Sequence, residues 1–246
     1  MTAARLALAT IALTVAGGAL TASPTAQRPV ATVVIDPGHD ELGNPQTEPI
    51  GPGSDVTKIK DGGGTRGVLT GTPEAELVLD VSLRLRTLLR RAGVRVVMTR
   101  AVTSGVSMGN IARARIANEA QAALFLRVHA DGHRDPRVRG THILVPAFRR
   151  GWTDDIYAES RRAANAILPE LVRRLGFPSR GISEHADFTG FNWSDVPVVL
   201  VELGFMTNRL EDRALARAAI RRAGALGMCR GVQRLLSRDP RACGTS

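Results

Sequence analysis

Apolar positions along the chain fall into two spacings from residue 28 onward. Short β-branched runs alternate with longer stretches in which apolar residues recur every three or four positions. Ala31–Asp36, Val94–Met98, Ala123–Val128, His142–Val145 and Val198–Val201 read as strands, the first stopped by Pro37-Gly38. Leu77, Val81, Leu85 and Leu88 mark a helix that Thr72-Pro73-Glu74 opens, with Thr72 as its N-cap and Gly93 ending it. Helices are also predicted over Asn110–Glu119, over Asp154–Leu175 with a kink or break at Pro169, and over Leu210–Leu236 with an interruption near Gly224 or Gly227. Glu41–Pro73, with eight Gly and four Pro, shows no periodicity and is expected to be a long functional loop. The pattern predicts an α/β fold of one domain, a sheet with helices on both faces.

The first residues follow neither spacing. Arg5 precedes Leu6–Leu20, fifteen uncharged residues, and small and turn-forming residues follow through Gln27. A basic start, an apolar stretch and a small-residue exit make a secretory signal, shorter than the ~20 residues of a membrane span. The expected organisation is therefore a signal peptide over 1–27, a catalytic domain over 28–238 and a C-terminal tail over 239–246. Export places the mature protein in the periplasm, the cell-wall space or the medium. Nucleic acid is then not a natural partner, and no stable membrane insertion is expected once the signal is removed. A monomer is the expected state.

Composition adds less. With 43% hydrophobic and 23% charged residues the chain is neither disordered nor a multi-pass membrane protein. The net charge of +10 attracts polyanions in general, and all the basic residues except Lys58 and Lys60 are Arg. Cys229 and Cys243 are the only cysteines, and outside the cell an even count favours a disulfide between them. Two cysteines alone are too few for a zinc site.

In open α/β sheets, ligands gather beyond the carboxyl ends of the strands. His39 follows the first strand within Asp36-Pro37-Gly38-His39. His129 follows Ala123–Val128, Glu202 follows Val198–Val201, and Glu74 lies in the first turn of its helix. A catalytic zinc needs three protein ligands and a base beside its open position, and these four residues supply that inventory. Plainer roles exist for each. A histidine at a strand end is often structural, and a glutamate in a first turn answers the helix dipole. A carboxylate straight after VVLV is costly to bury without a use.

The motifs resemble a known family. Val34-Ile35-Asp36-Pro37-Gly38-His39 resembles the opening motif of the zinc-dependent N-acetylmuramoyl-L-alanine amidases, which cut peptide stems from peptidoglycan. Glu74 with Leu77 and Leu79, Arg113-x-x-Ile116-Ala117-Asn118, Leu124–His129 and Pro197–Asn208 are similar to the later blocks, in the same order. The resemblance implies Zn2+ held by His39, Glu74 and His129, with Glu202 as catalytic acid/base and peptidoglycan or muropeptides as substrate. It also implies a single α/β domain with a mixed, mostly parallel twisted sheet flanked by helices on both faces. Glu76 competes as the acidic ligand, but the spacing to Leu77 and Leu79 favours Glu74. Asp40 and Arg127 stand where the family often has a Gly and a small hydroxyl residue. Asp187 and Asn192, in a polar loop before the last strand, are the expected substrate contacts.

Two other motifs compete. Gly62-x-Gly64-x-x-Gly67 matches a dinucleotide fingerprint but follows no strand. Gly105-Val106-Ser107-Met108-Gly109 matches a serine-hydrolase elbow, yet the nearest predicted strand ends at Met98. The alternatives are an exported serine esterase using Ser107, a zinc hydrolase of another amide or ester, and a catalytically inactive wall-binding protein. His133, His142 and His185 match no ligand position of the family.

Overall fold

Central strands buried on both faces carry unbroken apolar runs, and this sequence has three of them. In the computed structural model, which describes residues 30–40, 42–103 and 108–244, β1 (Thr32–Pro37), β5 (Leu124–Asp131) and β8 (Val198–Phe205) lie side by side and parallel. Every residue of β1 and β8 is buried. Such strands read as continuous hydrophobic runs because helices cover both sides. β4 (Arg95–Met98) pairs parallel with β1. β6 (Thr141–Pro146) runs antiparallel to β8 and parallel to β7 (Ser179–His185), giving the order β4-β1-β5-β8-β6-β7. The sheet is mixed and mostly parallel, as the resemblance implies.

Three long helices, α1 (Glu74–Arg91), α3 (Tyr157–Leu175) and α6 (Ala218–Leu235), bury their apolar stripes on one face, against Val33, Ile35, Leu126, Val199 and Val201. Each large apolar side chain buried there contributes about 1.5–3 kcal/mol. The other face carries α2 (Asn110–Glu119) and the short α4 (Thr189–Asn192), packed over Val34, Phe125, Val198 and Leu200. A short α5 (Arg209–Leu215) precedes α6.

Several boundaries differ from the sequence reading. The expected loop over 41–73 contains an antiparallel hairpin, β2 (Asn44–Pro49) and β3 (Thr57–Asp61). Both strands are largely exposed, so no apolar alternation announces them. The hairpin is held from outside itself: Glu48 accepts the N–H groups of Asn110 and Ile111 at the start of α2, and Trp193 Nε1 donates to the Pro49 carbonyl. β7 has an exposed, polar sequence and was also unreadable. α3 runs through Pro169 without a break. The C-terminal helical stretch breaks at Ala216-Arg217, ahead of Gly224 and Gly227. Those glycines, with Gly231, sit inside α6, and a Cβ on Gly231 would stand 2.5 Å from the Ile167 Cα of α3. They make close packing, not a stop.

α1 begins at Glu74 with Pro73 at the N-cap and no capping side chain, so Thr72 does not cap it. Cys229, on α6, is disulfide-bonded to Cys243 in the terminal 3-10 turn. The proposed signal segment, residues 1–27, lies outside the described residues, as does Ser107. Among the described residues no helix is long and apolar enough to cross a membrane.

Candidate active site

Because β1, β5 and β8 are parallel, their carboxyl ends share one edge of the sheet, and the chemistry-bearing residues collect there. His129 and Glu202 lie within their strands, not just past them, because β5 and β8 stay paired as far as Asp131 and Phe205. His129 stands directly opposite Glu202 in register. Alternation along the strands puts both on the α2/α4 face, with Phe125 and Leu200 behind them.

His39 reaches the same point from the turn after β1. Its φ of 57° is the left-handed region, sparsely used by residues with a Cβ and often found at functional sites. Gly38 makes the approach possible: a Cβ there would fall 2.2 Å from the His129 ring. Glu74 arrives from the first turn of α1. Its Oε2 accepts the Thr65 N–H at 2.9 Å, and its Oε1 accepts the Ala130 N–H at 3.2 Å. The helix start thus turns this carboxylate inward, while Glu76 is exposed and outside the cluster.

The three groups converge tightly. Glu74 Oε1 lies 3.0 Å from His129 Nδ1 and 3.4 Å from His39 Nε2, and one donor atom from each residue falls within 4.8 Å of the others. The imidazole rings stand edge to face with centroids 4.9 Å apart. Among the described residues this is the one cluster of three or more His, Cys, Asp or Glu side chains that could hold a metal ion. The donor set of two imidazole nitrogens and one carboxylate suits a borderline divalent ion and leaves coordination positions open.

The protonation states of His129 and Glu74 fit the same use, while His39 must release a proton to ligate. Burial pushes the His129 imidazole down, toward the neutral form that ligates. Burial works against ionisation of Glu74, but hydrogen bonds from His129 and His39 hold its carboxyl well below the ordinary range. Burial also lowers His39, yet its hydrogen bonds to Asp61 and Glu74 outweigh this and raise it to about 9. Asp61, at the end of β3, accepts from His39 Nδ1 at 2.6 Å and leaves Nε2 facing the cluster. Sequence reading missed Asp61 because the hairpin that carries it was unreadable.

Glu202 behaves differently. Its Oε2 is buried without a hydrogen-bond partner. Burial, with the negative charges of Glu74 and Asp131, pushes it well above the carboxylate range. A buried carboxyl without a partner, beside a possible cation site, is positioned to exchange protons.

The other expected contacts separate. Asp187 lies at the rim of the adjoining cavity, exposed and ion-paired with Lys58. Asn192 belongs to α4, not a loop, and is buried. Its Nδ2 donates to the carbonyls of Ile50 and Ala186, at 2.8 and 3.0 Å, bracing the turn of the hairpin. His142, the register partner of Glu202 on β6, stacks on Phe205 and is not one of the cluster's donors.

Comparison with known proteins decides the family. The model of the N-acetylmuramoyl-L-alanine amidase family matches residues 33–234. The chain belongs to this family. The amidase is 30% identical over 187 residues to the N-acetylmuramoyl-L-alanine amidase LytC of Bacillus subtilis, covering 76% of this chain and 32% of that protein. It is 28% identical over 227 residues to the N-acetylmuramoyl-L-alanine amidase Rv3717 of Mycobacterium tuberculosis, covering 85% and 88% of the two chains. Among solved structures, the N-acetylmuramyl-L-alanine amidase Ami1 of Mycobacterium smegmatis superposes with a TM-score of 0.75 at 28% identity, over 84% of this chain and 97% of that one. The amidase therefore spans about a third of LytC but most of Rv3717.

Proposed function

We propose that this amidase is zinc-dependent and hydrolyses the amide between the lactyl group of N-acetylmuramic acid and L-alanine in peptidoglycan or its muropeptides. The convergence of His39, Glu74 and His129 beside the register partner Glu202 carries the reading. Three donors of the right chemistry, a neutral His129 and an ionised Glu74 fit a divalent ion, and His39 Nε2, Glu74 Oε1 and His129 Nδ1 would hold it. Bound there, zinc would supply Lewis-acid polarisation of the scissile carbonyl and acidify a water molecule.

The protein's own groups do the rest. Glu202, in its ionised form, takes the proton of the attacking water on Oε2. It returns that proton to the L-alanine nitrogen as the amide breaks. The same raised pKa that disfavours its ionisation makes it a strong enough base to accept the proton. Asp61 holds the Nδ1 proton of His39 and so fixes the ring's tautomer and orientation. Walls of β5, β8 and α4 keep bulk water from the inner side of Glu202.

The proposed organisation is a secretory segment over 1–27, the catalytic domain over 28–238 and a tail over 239–246, stapled by Cys229–Cys243, exported to the periplasm or cell wall as a monomer. Mass spectrometry of purified muramyl peptides tests the chemistry. Incubation should yield a free lactyl acid and an intact peptide beginning with L-alanine, should stop on chelation and should resume with added zinc. Any other pair of products, or full turnover in chelator, would overturn it. A cleaved form beginning near residue 28 in the exported fraction would test the first segment.

A further inference from the structure

His39, His129 and Glu202 form a wall shared by two cavities, one of ≈270 Å³ and one of ≈460 Å³. A substrate in which a sugar and a peptide flank the scissile bond crosses such a wall with one arm in each cavity. The two differ in charge. The smaller is lined by Lys58, Lys60, Arg113 and Arg127 against Asp61 and Asp187, while the larger carries Glu74, Asp131, His133 and Arg134.

Arg127, like Arg113, is a buried cation. It precedes His129 by two positions on β5 and so points to the same face, with the two Cα atoms ~6.6 Å apart. Its side chain is 4% exposed. Nε donates to Asp36 Oδ2 at 2.8 Å and Nη2 to Asn110 Oδ1 at 2.7 Å, and neither bond uses Nη1. Nη1 lies against Gly190, where a Cβ would stand 2.2 Å away. Asp36 does not neutralise Arg127 alone, because the same carboxylate pairs with Arg113 at 2.7 Å. At the rim, Lys60 Nζ donates to the neutral Gln46 amide at 3.0 Å, and no carboxylate among the described residues pairs with it. Lys58 pairs with Asp187 and lies over the Phe188 ring. The only two lysines of the chain thus stand on one strand, β3, at the mouth of one cavity.

We propose that this cavity is a carboxylate-binding subsite for the peptide arm, in which Arg127 Nη1 and Lys60 Nζ take the free carboxylate of the residue that follows L-alanine. The assignment rests on the amidase reading above. The reach is right: a chain extends ~3.3–3.6 Å per residue, so a group one to two residues past the scissile bond spans the distance from His129 to Arg127. The chemistry is right as well, since a guanidinium edge and an ammonium offer donors but no acceptor. A carboxylate satisfies both, whereas its amide brings its own donors and leaves the cations uncompensated. The subsite therefore selects stems with a free D-isoglutamate carboxylate over stems amidated to D-isoglutamine.

Two experiments test this separately from the cleavage chemistry. Calorimetric titration of the mature chain with L-alanyl-D-isoglutamate should give affinity on the order of tenfold tighter than with L-alanyl-D-isoglutamine. Lys60→Gln should remove most of that difference, and Arg127→Gln all of it, with Arg127→Lys restoring part. Because Arg127→Gln also strips a partner from Asp36, Lys60→Gln decides if that variant does not fold. Equal affinity for acid and amide in the wild-type chain overturns the subsite, as does a full difference retained in Lys60→Gln.

The second experiment compares kcat and KM on muramyl dipeptides in the acid and amide forms. The preference should reside in KM and fall in Lys60→Gln. Cleavage of both forms with equal efficiency removes the subsite and leaves the amidase reading standing. Dipeptide discrimination without any cleavage of either form does the reverse.

Discussion

Asp61 Oδ1 lies 2.6 Å from His39 Nδ1, joining the hairpin to the turn after β1 across a separation of 22 residues. The same carboxylate accepts the Asp40 N–H through Oδ2 at 2.6 Å and the Gly63 N–H through Oδ1 at 2.9 Å. It fixes both the loop and the imidazole. Asp61→Asn should lower metal affinity or activity by about 10–100-fold, the usual effect of losing a partner behind a ligating histidine. Metal titration monitored by competition with a chromophoric chelator checks it, and unchanged affinity and turnover would remove Asp61 from the site.

Glu202→Gln separates chemistry from metal binding. Glu202 is outside the donor cluster, so elemental analysis should find the wild-type metal content in this variant. Cleavage should fall by about 10²–10⁴-fold, the range of general acid/base effects. His39→Ala and His129→Ala should instead lose the metal together with activity. A full complement in either would contradict the ligand assignment.

Asp36 illustrates a buried charge that the fold depends on. Fully buried, it accepts from Arg113, Arg127 and the Thr99 hydroxyl. Burial opposes its ionisation, but the two guanidiniums hold it well below the ordinary carboxylate range. A depressed folded-state pKa gives stability that is present above the unfolded value, near 3.9, and is lost as pH falls below it. Asp36→Asn should destabilise the chain by about 3–5 kcal/mol, the usual cost of breaking a buried pair. Urea unfolding at pH 7 measures this, and a difference below 1 kcal/mol would be inconsistent with the network.

His142 predicts an acid sensitivity in another window. Burial and the nearby Arg180 push its imidazole down to about 4. Between that value and the ordinary 6.5 the unfolded chain binds the extra proton, so stability falls as pH is lowered through this range. His142→Gln should flatten the part of the unfolding free energy that changes between pH 6.5 and 4. Parallel profiles for the variant and the wild-type chain would refute the assignment.

The strands and long helices were legible because burial on two faces, or on one helical stripe, imposes a spacing on apolar residues that survives in the sequence. The four candidate-site residues were legible through the motifs that carry the family resemblance, and parallel strands ending at a common edge explain why His39, His129 and Glu202 converge whatever their separation along the chain. The β2–β3 hairpin escaped because its strands are exposed and polar, and its support comes from Glu48 at the start of α2 and from Trp193. With it went Asp61 and the placement of Lys58 and Lys60, which acquire meaning only when the hairpin folds over the sheet edge. The sequence by itself determined the α/β layering, because the period of apolar residues is a local property, and its motifs carried the family resemblance that singles out His39, Glu74, His129 and Glu202. Tertiary structure alone decided that His129 faces Glu202 in register, that Glu202 is left without a partner, and that one cavity beside them is cationic. Those are distances between residues far apart in the chain, set by pairing and packing that no local pattern encodes.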